Sequence, residues 1–336
     1  MFNRNVFGVD LGTSEIKIYS FRKNRLLHEH NMIAIKDASQ VLAVGNDAYE
    51  MYEKNPPGIV VERPVANGRI ADVAEVEMLL RLLLKKTDSH AGPRASICFS
   101  APCNMSEIEK RAYYAISNLG DLRNPSVMLI DRPICTACQL GIDIAETRGS
   151  MILDIGAQST EVSVITQGQV IVSDSIAIGG QDLNEAIVSE IRRSRNLLIG
   201  QKTARRLKIS LSSLEAGAEE SRKVTGIDTL SGLPREDEIS GRIVSRAVED
   251  EMTRGAEEMR MFLERTPPQI RNSVLQEGIF LTGATARIRG IDRFLTRMIG
   301  SRIRVSPDYE FCTVKGIKKI IDDKEMKEYI RSVRKK

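Results

Sequence analysis

Two stretches of the chain share one plan, and this repeat decides the fold. They are Val6-Phe7-Gly8-Val9-Asp10-Leu11-Gly12-Thr13-Ser14-Glu15-Ile16-Lys17-Ile18 and Met151-Ile152-Leu153-Asp154-Ile155-Gly156-Ala157-Gln158-Ser159-Thr160-Glu161-Val162-Ser163-Val164. Each contains an apolar strand, an Asp-apolar-Gly triplet, a short polar turn and a second strand-forming run. The repeat predicts two equivalent halves, each with an aspartate at a strand end and main-chain amides exposed by a glycine turn. Such a turn is typical of loops that meet a phosphate or a metal-bound water.

Composition and charge restrict the classes of protein to which the chain can belong. Its 336 residues are enough for two domains or for one large α/β unit with a buried core. A net charge of +4 and an aromatic content of 4% argue against a nucleic-acid-binding protein. We find neither a membrane-spanning run nor a signal peptide in the sequence, so we expect a cytoplasmic protein. The five cysteines are then expected to be free thiols.

Strands and helices alternate between and after the repeats, which predicts mostly parallel sheets covered by helices. Ser106 and Glu109 form a capping-box pattern, and Ile108 is expected on the apolar face of the helix that follows. Apolar periodicity predicts further helices at Asp182 to Arg195, Thr203 to Leu214, Ile243 to Arg265 and Ile291 to Ile299. Residues 215–238 are expected to form a small peripheral subdomain with short strands, and residues 315–336 a solvated helix end.

Several motifs follow one another in the order and spacing of a known family. Besides the repeats they are Val44-Gly45-Asn46-Asp47-Ala48, Arg63-Pro64-Val65-Ala66-Asn67-Gly68-Arg69-Ile70-Ala71-Asp72, Glu107-Ile108-Glu109-Lys110-Arg111-Ala112, Ile178-Gly179-Gly180, Ile199-Gly200-Gln201-Lys202-Thr203-Ala204, Ser231-Gly232-Leu233-Pro234 and Leu281-Thr282-Gly283. Together they cover nearly the whole chain, which resembles MreB, the bacterial actin-like rod-shape family. More distantly, the chain is similar to actin, hexokinase and the heat-shock chaperone ATPases.

The resemblance implies a fold and a function. The fold is α/β, an actin-like ATPase fold of two duplicated ribonuclease-H-like halves, with four subdomains around a nucleotide cleft. Domain I would comprise residues 1–145 and 310–336 with a small subdomain at 31–64, and domain II residues 146–309 with a small subdomain at 182–242. The family's function would make the chain a cytoskeletal protein that binds ATP with Mg²⁺ and polymerises at the cytoplasmic face of the membrane, contributing to cell shape.

The same resemblance assigns candidate site residues. The first phosphate site would use Gly12, Thr13, Ser14, Glu15 and Lys17, and the second would use Gly156, Ala157, Gln158, Ser159 and Thr160. The ribose side would be formed by Arg205, Arg206, Leu207 and Lys208, and the adenine side by Gly283, Ala284, Thr285 and Ala286. Asp10 and Asp154 would contact Mg²⁺ through water, because this ion retains much of its hydration shell.

The chain departs from the family pattern at several of these positions. The family has Glu-Glu-Pro where this chain has Asp131-Arg132-Pro133, and the second Glu activates the attacking water. A guanidinium has no acceptor for a proton, so Arg132 predicts at most a slow ATPase. In the second loop, Ala157 and Gln158 replace glycines, which narrows the space for a phosphate. Glu15 is expected to point to the opposite face of its strand from Lys17 and therefore away from the phosphates.

Two other function classes stay open. One is a non-hydrolysing adaptor or regulatory scaffold, similar to FtsA or PilM, that partners a standard MreB. The other is a sugar or acetate kinase of the same superfold, which is less favoured because the sequence shows no acceptor-substrate motif. Expected partners are copies of the chain, an MreB paralogue and membrane proteins of the elongation machinery. Met1 and Phe2 offer only weak contact with the inner face of the membrane.

Cysteine and histidine pairs suggest metal sites at two places, and in both the plainer interpretation is favoured. Cys135 and Cys138 have a zinc or redox spacing, but no second pair accompanies them, so small buried side chains are expected. His28 and His30 share a face of a predicted strand and are expected at the surface rather than around a metal.

Overall fold

The computed structural model describes residues 5–89, 95–117, 126–215, 217 and 220–333. Met1 and Phe2, to which a weak membrane contact was assigned, lie outside the described residues. Among the helices of the described part, none combines the length and the apolar character that crossing a bilayer requires.

Strands and helices follow one another along the described residues. The strands are β1 (Val6–Leu11), β2 (Glu15–Ser20), β3 (Arg25–His30), β4 (Ile33–Lys36), β5 (Gln40–Val44), β6 (Ile59–Glu62), β7 (Val65–Ala66), β8 (Arg69–Ile70), β9 (Ser96–Ala101), β10 (Ser126–Asp131), β11 (Ser150–Ile155), β12 (Thr160–Thr166), β13 (Gln169–Ile176), β14 (Leu197–Leu198), β15 (Ser221–Asp228), β16 (Pro234–Ser240), β17 (Ile279–Thr282), β18 (Ile303–Val305) and β19 (Arg331–Val333). The helices are α1 (Asn46–Met51), α2 (Val73–Thr87), α3 (Glu107–Ala115), α4 (Arg132–Leu140), α5 (Gly180–Arg195), α6 (Gln201–Leu211), α7 (Gly241–Arg265), α8 (Pro268–Glu277), α9 (Ile291–Ile299) and α10 (Cys312–Asp322). Short 3-10 helices occupy Ala284–Arg287 and Glu325–Tyr329.

The chain divides into two compact units. Unit 1 comprises Met1–Thr147, Gln167–Ser173 and Glu310–Lys336, and unit 2 comprises Arg148–Thr166 and Asp174–Tyr309. In unit 1 the central sheet has the order β19-β10-β9-β1-β2-β3, with β1, β9 and β10 parallel and β2 antiparallel to β1. Its core is apolar and includes the fully buried Phe7, Phe99 and Leu79. A smaller sheet, β5-β4-β6, has a core of its own around Met32 and Ala48.

Unit 2 repeats this strand plan. Four strands of its five-stranded sheet follow the order β12-β11-β17-β18, with β11, β17 and β18 parallel and β12 antiparallel to β11. This is the order of β2, β1, β9 and β10 in unit 1, so the prediction of two equivalent halves is confirmed. The sheets are mixed rather than mostly parallel, because each sequence repeat folds into an antiparallel hairpin. A smaller three-stranded sheet, β14-β15-β16, contains most of the residues expected as a peripheral subdomain.

Several local predictions are confirmed with small shifts at the ends. The capping box of α3 is present, since Ser106 and Glu109 exchange hydrogen bonds. Helix α9 has the expected bounds, and α5 and α7 each begin two residues before the expected position. The expectation for Ile108 is wrong, because 77% of this residue is exposed although it lies on α3.

The C-terminal segment is a structural part of unit 1, contrary to the prediction of a solvated helix end. Helix α10 buries Val314, Ile317, Ile320 and Ile321, and β19 pairs with β10 at the edge of the sheet. Helix α10 packs closely on α4, where the main chain of Gly316 lies against the carbonyl of Cys135. The prediction relied on the basic residues of this segment and overlooked the apolar face of an amphipathic helix.

Candidate functional site

The first candidate loop is a tight hairpin turn between β1 and β2. The amide of Gly12 donates to the carbonyl oxygen of Glu15 at 3.1 Å, so Thr13 and Ser14 occupy the tip. The hydroxyl oxygen of Thr13 accepts a hydrogen bond from the amide of Gly68 at 2.9 Å. The side-chain amide of Asn31 donates to the carbonyls of Thr13 and Val65, at 2.8 and 2.7 Å. The turn is therefore fixed to the neighbouring β7–β8 hairpin through buried polar groups.

Lys17 and Glu15 lie on the same face of β2, which contradicts the expectation that Glu15 points away. Side chains two residues apart on a strand share a face, and Nζ of Lys17 is 3.8 Å from Oε2 of Glu15. The same carboxylate oxygen is 2.8 Å from Nε2 of His28 on the paired strand. Phe311 closes this cluster, with its ring edge-on to His28 at 5.2 Å and 5.8 Å from Nζ of Lys17.

His28 is half-buried within this cluster, so the expectation of a surface histidine is wrong. Ligand atoms of Glu15, His28 and Glu310 lie within 4.8 Å of one another, a spacing that a metal ion could bridge. However, the ammonium of Lys17 already supplies positive charge beside Glu15. We therefore describe the group as an ion-pair cluster.

Asp10 lies at the carboxyl end of β1, next to one group from strand β9 and one from helix α4. The hydroxyl of Ser100 on β9 donates to Oδ1 of Asp10 at 2.7 Å. Nε of Arg132, the first residue of α4, is 3.9 Å from the same oxygen. The side chains of Asp10 and Arg132 are only 12% and 13% exposed, so this ion pair is shielded from water. The preceding Asp131 pairs instead with Arg331 of β19.

The second candidate loop repeats the geometry of the first in unit 2. The amide of Gly156 donates to the carbonyl of Ser159 at 3.0 Å, so Ala157 and Gln158 form the tip. The carbonyls of Gly156 and Ala157 accept from the first two amides of α5, at 2.9 and 2.7 Å. The side chain of Gln158 donates to Gln181 of the same helix at 3.0 Å. Thr160 is fully buried, and its hydroxyl donates to the carbonyl of Ile178. The first turn of α5 thus holds the loop in place.

The four residues predicted for the ribose side all lie on α6, but their side chains have different surroundings. Leu207 is buried in the core, and the exposed Arg206 donates to Thr203 on its own helix. Lys208 is partly buried, and its ammonium donates to the carbonyl of Gly180 at the start of α5. Burial, followed by repulsion from Arg205, lowers the pKa of Lys208 to about 7. Lys208 is therefore the member of this group that lies next to the second loop.

The four residues predicted for the adenine side follow β17. Gly283 has φ +90°, and its main chain lies against Asp154 at the end of β11. The hydroxyl of Thr285 is 3.5 Å from the carbonyl of Gly156, while Thr285 and Ala286 are buried and Ala284 is exposed. The structure thus brings Asp154, the second loop, Lys208 and the 3-10 turn together within unit 2.

Sequence reasoning missed Ser100, Asn31 and Gly68 as neighbours of the first loop. Ser100 could have been found from its place near the end of a buried strand, because the carboxyl ends of parallel strands meet at one sheet edge. Asn31 and Gly68 gave no such signal. Cys135 and Cys138 are buried at the α4–α10 contact as expected, and burial raises the pKa of both thiols.

Comparison with known proteins identifies the family of this chain. The family model described as MreB/Mbl protein matches residues 4–329. Cell shape-determining protein MreB of Escherichia coli K12 is 32% identical over 322 residues, covering 93% of this chain and 92% of that protein. Cell shape-determining protein Mbl of Bacillus subtilis is 30% identical over 328 residues, covering 96% and 97%.

Solved structures show the same relationship. MreB5 of Spiroplasma citri, solved with ADP and with AMPPNP, superposes with a TM-score of 0.88 at 27% identity, covering 96% of this chain and 97% of that chain. The expected actin-like α/β fold is thereby confirmed. The chain belongs to the MreB/Mbl family of actin-like proteins, whose members include cell shape-determining proteins.

Proposed function

We propose that this chain binds ATP and assembles with copies of itself into filaments that act in determining cell shape. The observation that carries the proposal is one arrangement present in both units. A carboxylate at a strand end, Asp10 or Asp154, is followed by a hairpin turn closed between Gly12 and Glu15 or between Gly156 and Ser159. The nucleotides bound to MreB5 of Spiroplasma citri support a nucleotide as the ligand.

The residues around the turns fit a polyphosphate because positive groups lie close to them. In unit 1 these groups are Lys17 on β2 and Arg132 beside Asp10. In unit 2 the group is Lys208, next to the loop at Gly156; its pKa of about 7 leaves it partly protonated at neutral pH, and a phosphate beside it would raise that pKa. Lysine and arginine both recognise phosphate oxygens, the first as a point charge and the second through a planar fork of donors. Their part in the proposed function is to bind and orient the phosphates.

Mg²⁺ would neutralise phosphate charge and orient the transferred group when bound with a nucleotide. Asp154 is a carboxylate of the kind that such a hydrated ion contacts. Asp10 fits this role poorly, since the guanidinium of Arg132 already lies beside its carboxylate. The two units therefore differ in how well they suit the ion.

Hydrolysis is expected to be slow, because Arg132 can donate hydrogen bonds but cannot accept a proton from water. A phosphate-release assay with saturating ATP checks this expectation. Turnover as fast as that of Escherichia coli MreB, and unchanged in Arg132→Ala, would contradict it.

Titration calorimetry with AMPPNP tests the nucleotide-binding step. Lys17→Met removes a cation beside the first loop and should weaken binding about tenfold, which is the effect of losing one charge-assisted contact. Lys318→Met is the control, since Lys318 is a half-exposed lysine of the same unit paired with Asp322. No heat of binding at millimolar AMPPNP by the parent chain would rule out the nucleotide-binding function.

Sedimentation and electron microscopy in the presence of AMPPNP test the assembly step. Filaments of the chain alone support the cytoskeletal proposal, and the same assay with an MreB paralogue or with anionic vesicles tests co-assembly and membrane contact. A chain that binds nucleotide but stays monomeric at tens of micromolar would instead support the adaptor class.

A further inference from the structure

The surroundings of Asp10 differ from those that a hydrated divalent cation needs. In unit 1, Asp10 and Ser100 are paired in the register of the parallel strands β1 and β9. The next strand, β10, ends at Asp131 and leads directly into Arg132 at the start of α4. Three neighbouring carboxyl-terminal strand ends therefore bring one anion, one hydroxyl and one permanent cation together. Ligands of parallel sheets bind at this edge.

The charge of Asp10 is balanced within unit 1 itself. Oδ1 of Asp10 accepts from the hydroxyl of Ser100 and lies 3.9 Å from Nε of Arg132. Asp131, the other acidic residue at this edge, is engaged by Arg331. Arg132 remains charged at any physiological pH, so the carboxylate of Asp10 has a permanent partner. A hydrated divalent ion at Asp10 would lie close to the guanidinium, where two positive charges repel each other.

The position of Arg132 is also fixed by the fold. It begins α4 and is followed by Pro133, which is buried and favours the first helical turn. The guanidinium of Arg132 also lies near the backbone of Gly68. The amide of Gly68 donates a hydrogen bond to the hydroxyl oxygen of Thr13, at the tip of the first loop. The guanidinium is thus held near both Asp10 and the loop, with little exposure to solvent.

We infer that Arg132 replaces a divalent cation at Asp10, so that this chain binds a nucleoside di- or triphosphate without requiring Mg²⁺. The inference rests on the proposed nucleotide-binding function. Arg132 neutralises Asp10 and places a permanent positive charge at this edge of the sheet, where it attracts phosphate oxygens. No group is transferred in this step.

The experiment compares the dissociation constant of AMPPNP in millimolar MgCl₂ with that in EDTA, using calorimetry on the full chain. For the parent chain we expect the two dissociation constants to agree within about threefold, which is well below the tenfold change expected for the loss of one charged contact. Arg132→Glu places two carboxylates together, so we expect binding in EDTA to weaken at least about tenfold and Mg²⁺ to restore much of it. Arg132→Lys keeps the charge and should still bind in EDTA.

Arg254→Glu is the matched charge-reversal control. Arg254 is an exposed residue of α7 that pairs with Glu251, and its reversal should leave the ratio of the two constants unchanged. The comparison on the parent chain stands even if Arg132→Glu does not fold. Binding by the parent chain only in the presence of Mg²⁺ would overturn the inference, assign the ion to Asp154 and leave the proposed function intact. The absence of binding under both conditions would overturn the proposed function and this inference with it.

Discussion

The main chain of Gly283 lies directly against the side chain of Asp154, at the point where β17 ends beside β11. A Cβ atom built on Gly283 would be 2.6 Å from Oδ1 of Asp154 and in contact with the carbonyl of Ile155. The backbone there has φ +90°, a conformation that residues other than glycine rarely adopt. The close approach of the two strand ends in unit 2 therefore depends on the absence of a side chain.

Gly283→Ala should destabilise unit 2 by about 3 kcal/mol, because backbone strain and overpacking add at this position. Gly300→Ala is the control for a glycine with positive φ, since no described atom lies within 4 Å of its added Cβ. Gly300 has φ +77° and ψ 21°, in the left-handed helical region, whereas Gly283 has φ +90° and ψ 154°. Gly300→Ala should lower the free energy of unfolding by about 1 kcal/mol, from backbone strain alone. Urea unfolding of both variants measures the difference in the free energy of unfolding. Equal losses would show that neither the contact with Asp154 nor the more restricted backbone of Gly283 matters.

Gly316→Ala should disrupt the contact between α10 and α4. The added methyl would overlap the carbonyl of Cys135, so we expect a loss of about 1–3 kcal/mol in the free energy of unfolding. Gly255→Ala, also within a helix, meets only an ordinary contact at 3.4 Å from Ile178 and should be neutral or stabilising by up to about 1 kcal/mol. Thermal unfolding of the pair tests the contrast, and a tolerated Gly316→Ala would contradict the close helix packing.

The lowered pKa of Lys208 predicts a pH-dependent contribution to stability. In the folded chain Lys208 loses its proton near pH 7, whereas in the unfolded chain it keeps it to about 10.5. Between these values the unfolded state binds more protons, so the free energy of unfolding should rise with pH.

Lys208→Met removes this contribution. The stability of the parent chain relative to Lys208→Met should therefore increase from pH 7 to pH 10 and stay constant below pH 6. Lys223→Met, at an exposed lysine of the same unit, controls for the loss of one charge. A difference between parent and Lys208→Met that does not change with pH would show that Lys208 stays protonated in the folded chain.

The burial of the cysteines predicts their reactivity. Cys98, Cys135, Cys138 and Cys312 are buried, whereas Cys103 is half-exposed. Burial raises the pKa of Cys98 and Cys135 well above the ordinary value, so their reactive thiolate forms are scarce. Ellman's reagent should label one thiol rapidly in the folded chain and all five in urea, and Cys103→Ser should abolish the rapid phase. Rapid labelling of further thiols would contradict the packing of α4 on α10.

Much of the fold could be predicted because its signals are local. The Asp-apolar-Gly repeats predicted two equivalent halves, and the Ser106 capping box and the periodicity of α9 predicted helix positions. Ile108 shows where this fails, since helical spacing puts it on an apolar stripe but no neighbouring element covers it. In the C-terminal segment the prediction erred in the other direction, since a segment expected in solvent buries the apolar face of α10.

The sequence by itself determined the repeat, the two turns and the presence of a guanidinium where the family has a carboxylate. These features depend on residues adjacent in the chain, whose turn chemistry and periodicity do not need a partner. Only the tertiary structure decided that Arg132 meets Asp10, that Glu15 meets His28, and that Lys208 lies beside Gly180. Strand order and helix packing bring these residues together from distant parts of the chain.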